Sequence, residues 1–171
     1  QIKLLKWFLR WATTKGYCQT RDYINFKPKL KTSEKKIIFL DWPELMTVYN
    51  YPFTDKQKNL ERVRDVFCFC CFTSLRYSDV ANLKRTNVFE DHIQVTTIKT
   101  YEALRIELND YSKAILEKYK DETYEDNLAL PVISNQKMND SLKELGELCG
   151  IDEPVSITYY KGGERYGKHQ M

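Results

Sequence analysis

The stretch that most limits the fold is KNLERVRDVFCFCCF, residues 58–72. Leu60, Val63, Phe67 and either Cys70 or Cys71 recur at helical spacing, and the second half is apolar nearly all round. A helix apolar on every side has to be wrapped by other elements. The pattern therefore predicts a central, buried helix in a mostly helical domain.

The flanking sequence supplies the wrapping. Asp41 is a natural N-cap with Pro43 in the first turn, and Leu45, Met46 and Tyr49 form the inward side of a helix. After the turn TSLRY, Ser78 is expected to cap a short helix with Val80, Ala81 and Leu83 inward. HIQVTTI alternates Ile93, Val95 and Thr97, and LRIEL alternates Leu104, Ile106 and Leu108, so both read as strands, joined through KTYEA with Lys99 in the hairpin. Asn109 or Asp110 caps a helix running to about Lys120, and Asn135 caps one through Met138, Leu142, Leu145 and Leu148 that Gly150 closes. VSITYYKGGERYG reads as a further hairpin turning at Lys161, Gly162 and Gly163.

The amino-terminal end differs in character. Ile2, Leu5, Phe8, Leu9 and Ala12 share one helical face with Leu4, Trp7 and Trp11 beside it, and Gly16 is a plausible stop. One helix cannot bury that much aromatic surface alone, so it reads as the last helix of a preceding domain. FKPKLKTSEKK, residues 26–36, is lysine-rich, carries a proline and lacks periodicity, as an exposed linker or arm would. Residues 1–36 hold ten Lys/Arg against two Asp/Glu, and the rest of the chain holds seventeen against twenty-two. A basic end of this kind suits a phosphate backbone, and equally a solvated linker.

Several classes are set aside by composition. An apolar share of 42% with 30% charged residues fits a globular chain and not a disordered one. No apolar run reaches the roughly 20 residues of a membrane helix, and a cytoplasmic protein with no membrane partner is expected. The five cysteines, three of them within FCFCCF, read as small buried hydrophobes in a reducing compartment. With no CxxC pair and His92 far from His169, no metal site is expected.

CFTSLRYSDVANLK, residues 71–84, then places an arginine at the junction of two core helices, followed downstream by a lysine in a hairpin. This arrangement resembles the catalytic domain of the tyrosine recombinases, the phage-integrase family, and is most similar to integrases of Bacteroides-type mobile elements. The resemblance is specific at residues 72–84 and 95–108 and looser elsewhere. It implies an α+β fold, mainly α-helical with a small antiparallel β-sheet, like that of DNA breaking-rejoining enzymes. It further implies residues 1–25 as the terminal helix of a SAM-like core-binding domain, 26–37 as a basic linker and 38–171 as the N-terminal part of the catalytic domain.

By the same resemblance Arg76 matches the first catalytic arginine, whose planar fork holds two oxygens of the scissile phosphate. Asp79 matches a supporting carboxylate, which would brace the arginine and let it tolerate partial burial. The start of the helix at Ser78 would add positive field. Lys99 matches the lysine that acts as general acid toward the departing 5′-hydroxyl. Lys27, Lys29, Lys31, Lys35, Lys36 and Lys84 are candidate DNA contacts. The partner implied is double-stranded DNA, with the intact parent working as a tetramer on two recombination sites through a 3′-phosphotyrosyl intermediate, for which the resemblance implies no cofactor, neither metal nor nucleotide.

The family's His-x-x-Arg box and nucleophilic tyrosine are not identifiable before Met171, and His169 lacks the Ser/Thr-x-His lead-in common in the family. The expectation is a portion of a recombinase that is inactive alone. Three bland readings stand beside these. Arg76 can be a buried arginine paired with Asp79 or Asp65, Lys99 an exposed hairpin lysine, and the whole a helical protein-interaction domain. The main alternative is a non-catalytic helix-turn-helix protein, which puts Lys84, Arg85 and Asn87 at base edges.

Overall fold

The computed structural model describes residues 2–27, 37–161 and 164–170, so Lys29, Lys31, Lys35 and Lys36 lie outside the described residues. The chain divides into two compact units. Residues 1–37 and 154–170 form one, and residues 38–153 form most of the other.

In the first unit, helix α1 runs Ile2–Thr14 and a 3₁₀ turn follows at Asp22–Ile24. The helix ends where Gly16 takes a positive φ of 78°, a conformation open to glycine at no steric cost. Leu4, Leu5, Trp7, Phe8 and Trp11 are all exposed on α1, and only Ala12 is buried. The helix thus forms where its apolar periodicity predicts, with its aromatic surface uncovered among the described residues. Strands β3 (Val155–Lys161) and β4 (Glu164–Gln170) form the expected antiparallel hairpin, with His169 opposite Ser156.

The second unit is built around α3, Lys58–Thr73, which packs against α2 (Trp42–Tyr49), α4 (Tyr77–Val80), α5 (Asp110–Lys118) and α6 (Asn135–Leu148). Val63, Val66, Cys68 and Phe69 of α3 are buried, as the apolar run requires. Phe69 is fully enclosed, a burial that stabilises by roughly 1.5–3 kcal/mol. Asp41 caps α2 through a reciprocal capping box with Glu44, and the Asn109 side chain caps α5 by accepting from the Ser112 amide at 2.9 Å.

Two caps differ from the sequence reading. The α6 cap is Ser134, one residue earlier than Asn135, because its hydroxyl accepts from the Lys137 amide. Helix α4 starts at Tyr77 with Arg76, not Ser78, in the cap position, since the Asp79 and Val80 amides both bond the Arg76 carbonyl. The four-residue α4 is also too short to align the peptide dipoles that the expected helix-end field needs.

Strands β1 (His92–Thr96) and β2 (Ala103–Glu107) form a two-stranded antiparallel sheet, with Ile93 opposite Ile106 and Val95 opposite Leu104. Ile93 is wholly buried and Leu108, just past β2, is also in the core.

Arg64, Asp65, Lys118 and Tyr119 form one network inside this unit. Arg64 donates to Asp65 Oδ1 at 2.5 Å and to the Tyr49 carbonyl, and lies over the Tyr49 and Phe53 rings. Asp65 Oδ2 accepts from Lys118 at 2.7 Å and from the Tyr119 hydroxyl at 2.6 Å. Burial, followed by the hydrogen bond to Asp65, pushes the Tyr119 hydroxyl well above its ordinary value. Arg64, Asp65 and the Tyr119 hydroxyl thus each keep a partner, which is the condition for tolerating buried charge.

Candidate active site

The chain leaves α3 through Ser74, which adopts φ 58° and ψ 17°. That left-handed residue turns the backbone so that Leu75 enters the core while Arg76 faces solvent. The polar break in CFTSLRYSDV is therefore a reversal that inserts one side chain and presents the next.

Arg76 is exposed and has no ion pair among the described residues. This corrects the expected partial burial and the expected brace from Asp79; pairing with Asp65 is likewise absent, because Asp65 is committed to Arg64, Lys118 and Tyr119. An exposed guanidinium pays no desolvation and needs no partner in the fold. Its backbone is held instead by its neighbour: the Tyr77 hydroxyl donates to the Ile133 carbonyl. Burial raises the Tyr77 hydroxyl above its ordinary value, with Cys70 adding to the shift.

Asp79 is 4% exposed, and its Oδ1 accepts from the Ile98 amide at 2.9 Å. The carboxylate thus ties α4, one turn after Arg76, to the residue preceding Lys99. Asp79 Oδ2 is buried and has no hydrogen-bond partner among the described residues.

Lys99 is exposed in the loop between β1 and β2. Around it the loop is ordered by Thr97, whose hydroxyl lies 2.7 Å from that of Thr100 and accepts from the Glu102 amide at 3.2 Å. The Tyr101 amide donates to the Thr97 carbonyl at 2.9 Å, and Tyr101 takes a positive φ of 56° to close the turn. The threonines of TTIKT were legible in the sequence as strand formers only; their flanking of a lysine was the available signal.

The remaining candidates are placed as follows. Lys27 and Lys84 are exposed, Lys27 in the first unit and Lys84 in the second. Arg85 is turned inward to the Tyr119 and Glu122 carbonyls, so it is not free to read a base edge as the helix-turn-helix alternative requires. Helix α4, four residues long, is also far shorter than a recognition helix. A cleft of about 630 Å³ lined by Arg85, Phe89, Leu108, Lys113, Leu116 and other residues contains none of Arg76, Asp79 and Lys99. The two candidate cations stand on open surface, where a phosphate on a duplex can approach.

No family model and no curated protein matches this sequence. Solved structures do. The chain is similar to a lambda integrase (residues 75–356) dimer bound to a COC′ core site, with a TM-score of 0.65 at 14% identity over 89% of this chain and 57% of that one. A lambda integrase tetramer bound to a Holliday junction gives 0.64 at 16% identity over 89% and 47%. XerA recombinase gives 0.53 at 16% over 90% and 62%. The fold is that of the tyrosine recombinases, mainly helical with a small antiparallel sheet, and the chain spans between 47% and 62% of the length of these structures.

Proposed function

We propose that this chain is the DNA-binding portion of a site-specific tyrosine recombinase, of the kind carried by Bacteroides-type mobile elements, which cuts and rejoins DNA during integration. The observation that carries the reading is the bond from Asp79 to the Ile98 amide, on a recombinase fold. It couples the residue one turn beyond an exposed arginine to the loop bearing an exposed lysine.

In this reading residues 1–25 close a core-binding domain, 26–37 form a basic linker and 38–171 begin the catalytic domain. Arg76 takes two non-bridging oxygens of the scissile phosphate and offsets the charge that develops on them during attack. Lys99 gives a proton to the departing 5′-oxygen. Asp79 holds the Lys99 loop and not the arginine. Lys84 and the cations of the basic segment, Lys27, Lys29, Lys31, Lys35 and Lys36, contact the flanking phosphates. The His-x-x-Arg box and the nucleophilic tyrosine belong to the longer parent, which acts as a tetramer on two sites; the chain alone neither cleaves nor ligates.

A salt titration of duplex binding by this chain tests the reading. Each neutralised phosphate contributes a slope of about −0.9 in log K against log salt, so several contacts give a steep fall. Binding that is absent at low salt, or indifferent to salt, would overturn it.

A further inference from the structure

Thr97 is 3% exposed at the end of a strand whose other inward residues are Ile93 and Val95. A valine would fill that position equally well by shape, and a buried hydroxyl is unfavourable unless it is bonded. Every partner of this hydroxyl lies in the Lys99 loop: the Thr100 hydroxyl at 2.7 Å, the Glu102 amide at 3.2 Å and, more distantly, the Glu102 carbonyl at 3.5 Å. The residue before Lys99 is held by Asp79 and the residue after it by Thr97. Lys99 itself makes no side-chain hydrogen bond or ion pair among the described residues, so where its Cα stands is set by these two anchors together with the backbone bonds between Tyr101 and Thr97 and between Thr97 and Glu102.

We propose that Thr97 is a positioning residue for Lys99, with Thr100 as the relay between them. The inference rests on the recombinase reading given above. In the cleavage step the parent's tyrosine hydroxyl gives its proton to solvent as its oxygen bonds phosphorus, the bond from phosphorus to the 5′-oxygen breaks, and the 5′-oxygen takes a proton from Lys99 Nζ. That transfer needs the ammonium within about 2.6–3.2 Å of the leaving oxygen. A flexible lysine on a loose loop reaches that point rarely, and on a fixed loop often.

The test uses the intact recombinase and two nicked duplex substrates, one with the native 5′-oxygen at the scissile phosphate and one with sulfur there. A thiolate departs without a proton, so the sulfur substrate bypasses the general acid. Lys99→Ala is expected to slow the oxygen substrate and to regain rate on sulfur, which checks the underlying reading. Thr97→Val is expected to slow the oxygen substrate by about 10- to 100-fold, the range a misplacement of about 1 Å produces, and to regain rate on sulfur in the same way. Thr97→Ser, which keeps the hydroxyl, restores the oxygen rate. Thr100→Val, at an exposed position, shifts in the same direction. If Thr97→Val and Thr100→Val match the parent on oxygen, or lose rate equally on both substrates, Thr97 does not position Lys99. If Lys99→Ala leaves the oxygen substrate unaffected, the reading fails and this inference with it.

Discussion

Replacing Asp79 by alanine separates a local tie from a contribution to global stability. The Ile98 amide loses a charge-assisted acceptor at 2.9 Å, worth about 1.5–3 kcal/mol. The same substitution removes Oδ2, a buried oxygen with no partner among the described residues, whose desolvation costs about 1–3 kcal/mol. The two contributions oppose each other, so stability to denaturant changes by less than about 1 kcal/mol. The local effect is not offset. Exchange of the Ile98 amide, read by NMR, accelerates by about 10- to 100-fold, and the Lys99 and Thr100 resonances broaden with it. Asp79→Asn keeps a neutral acceptor and gives a smaller acceleration, since bonds to ionised groups are roughly twice as strong as neutral ones. Unchanged Ile98 exchange in Asp79→Ala would refute the idea that this carboxylate holds the loop. A large global loss with uniform exchange would refute it too.

Ser74 sits at φ 58°, so Ser74→Gly is expected to stabilise the chain by about 0.5–1 kcal/mol, the left-handed penalty less the extra backbone entropy of glycine; a lower denaturation midpoint would contradict this. Asp65→Ala takes the carboxylate from the buried Arg64 and from the Tyr119 hydroxyl, while Lys118 keeps Glu61, and is expected to cost about 3–5 kcal/mol, whereas a loss below about 1 kcal/mol would show the network to be dispensable. Burial pushes the Cys70 thiol from 9.0 up to about 12, and it raises Cys68, Tyr119 and Tyr124 further. These groups are neutral in both states at neutral pH. Above 9.0 the unfolded thiols lose protons first, so stability is retained to that point and falls as pH climbs toward 12; a denaturation midpoint that holds constant across this window would be inconsistent with the buried thiols.

The parts of the fold legible in the sequence were those written in long periodic segments. FCFCCF could only be a wrapped helix, and Asp41 with Pro43 specified the start of α2 through cap chemistry. The short elements were less legible. Ser78 and Asn135 are good caps in isolation, but tertiary placement put the first turns elsewhere. The candidate site was legible as residues and not as geometry. That Asp79, three residues on, would brace Arg76 was implied by the resemblance. What decided otherwise was a contact across 19 positions, from Asp79 to the Ile98 amide, which no local pattern encodes. The Thr97 hydroxyl was hidden for a related reason, because a threonine alternating with isoleucine and valine is also an ordinary strand residue.

The proposed hold of Arg76 on the reacting phosphate is tested by trapping a covalent protein–DNA adduct of the proposed intact recombinase on a nicked duplex. An adduct is expected with the parent protein and is lost in Arg76→Ala, with duplex affinity reduced only modestly because the other proposed phosphate contacts are untouched. An adduct that still forms in Arg76→Ala at the parent's rate would contradict it.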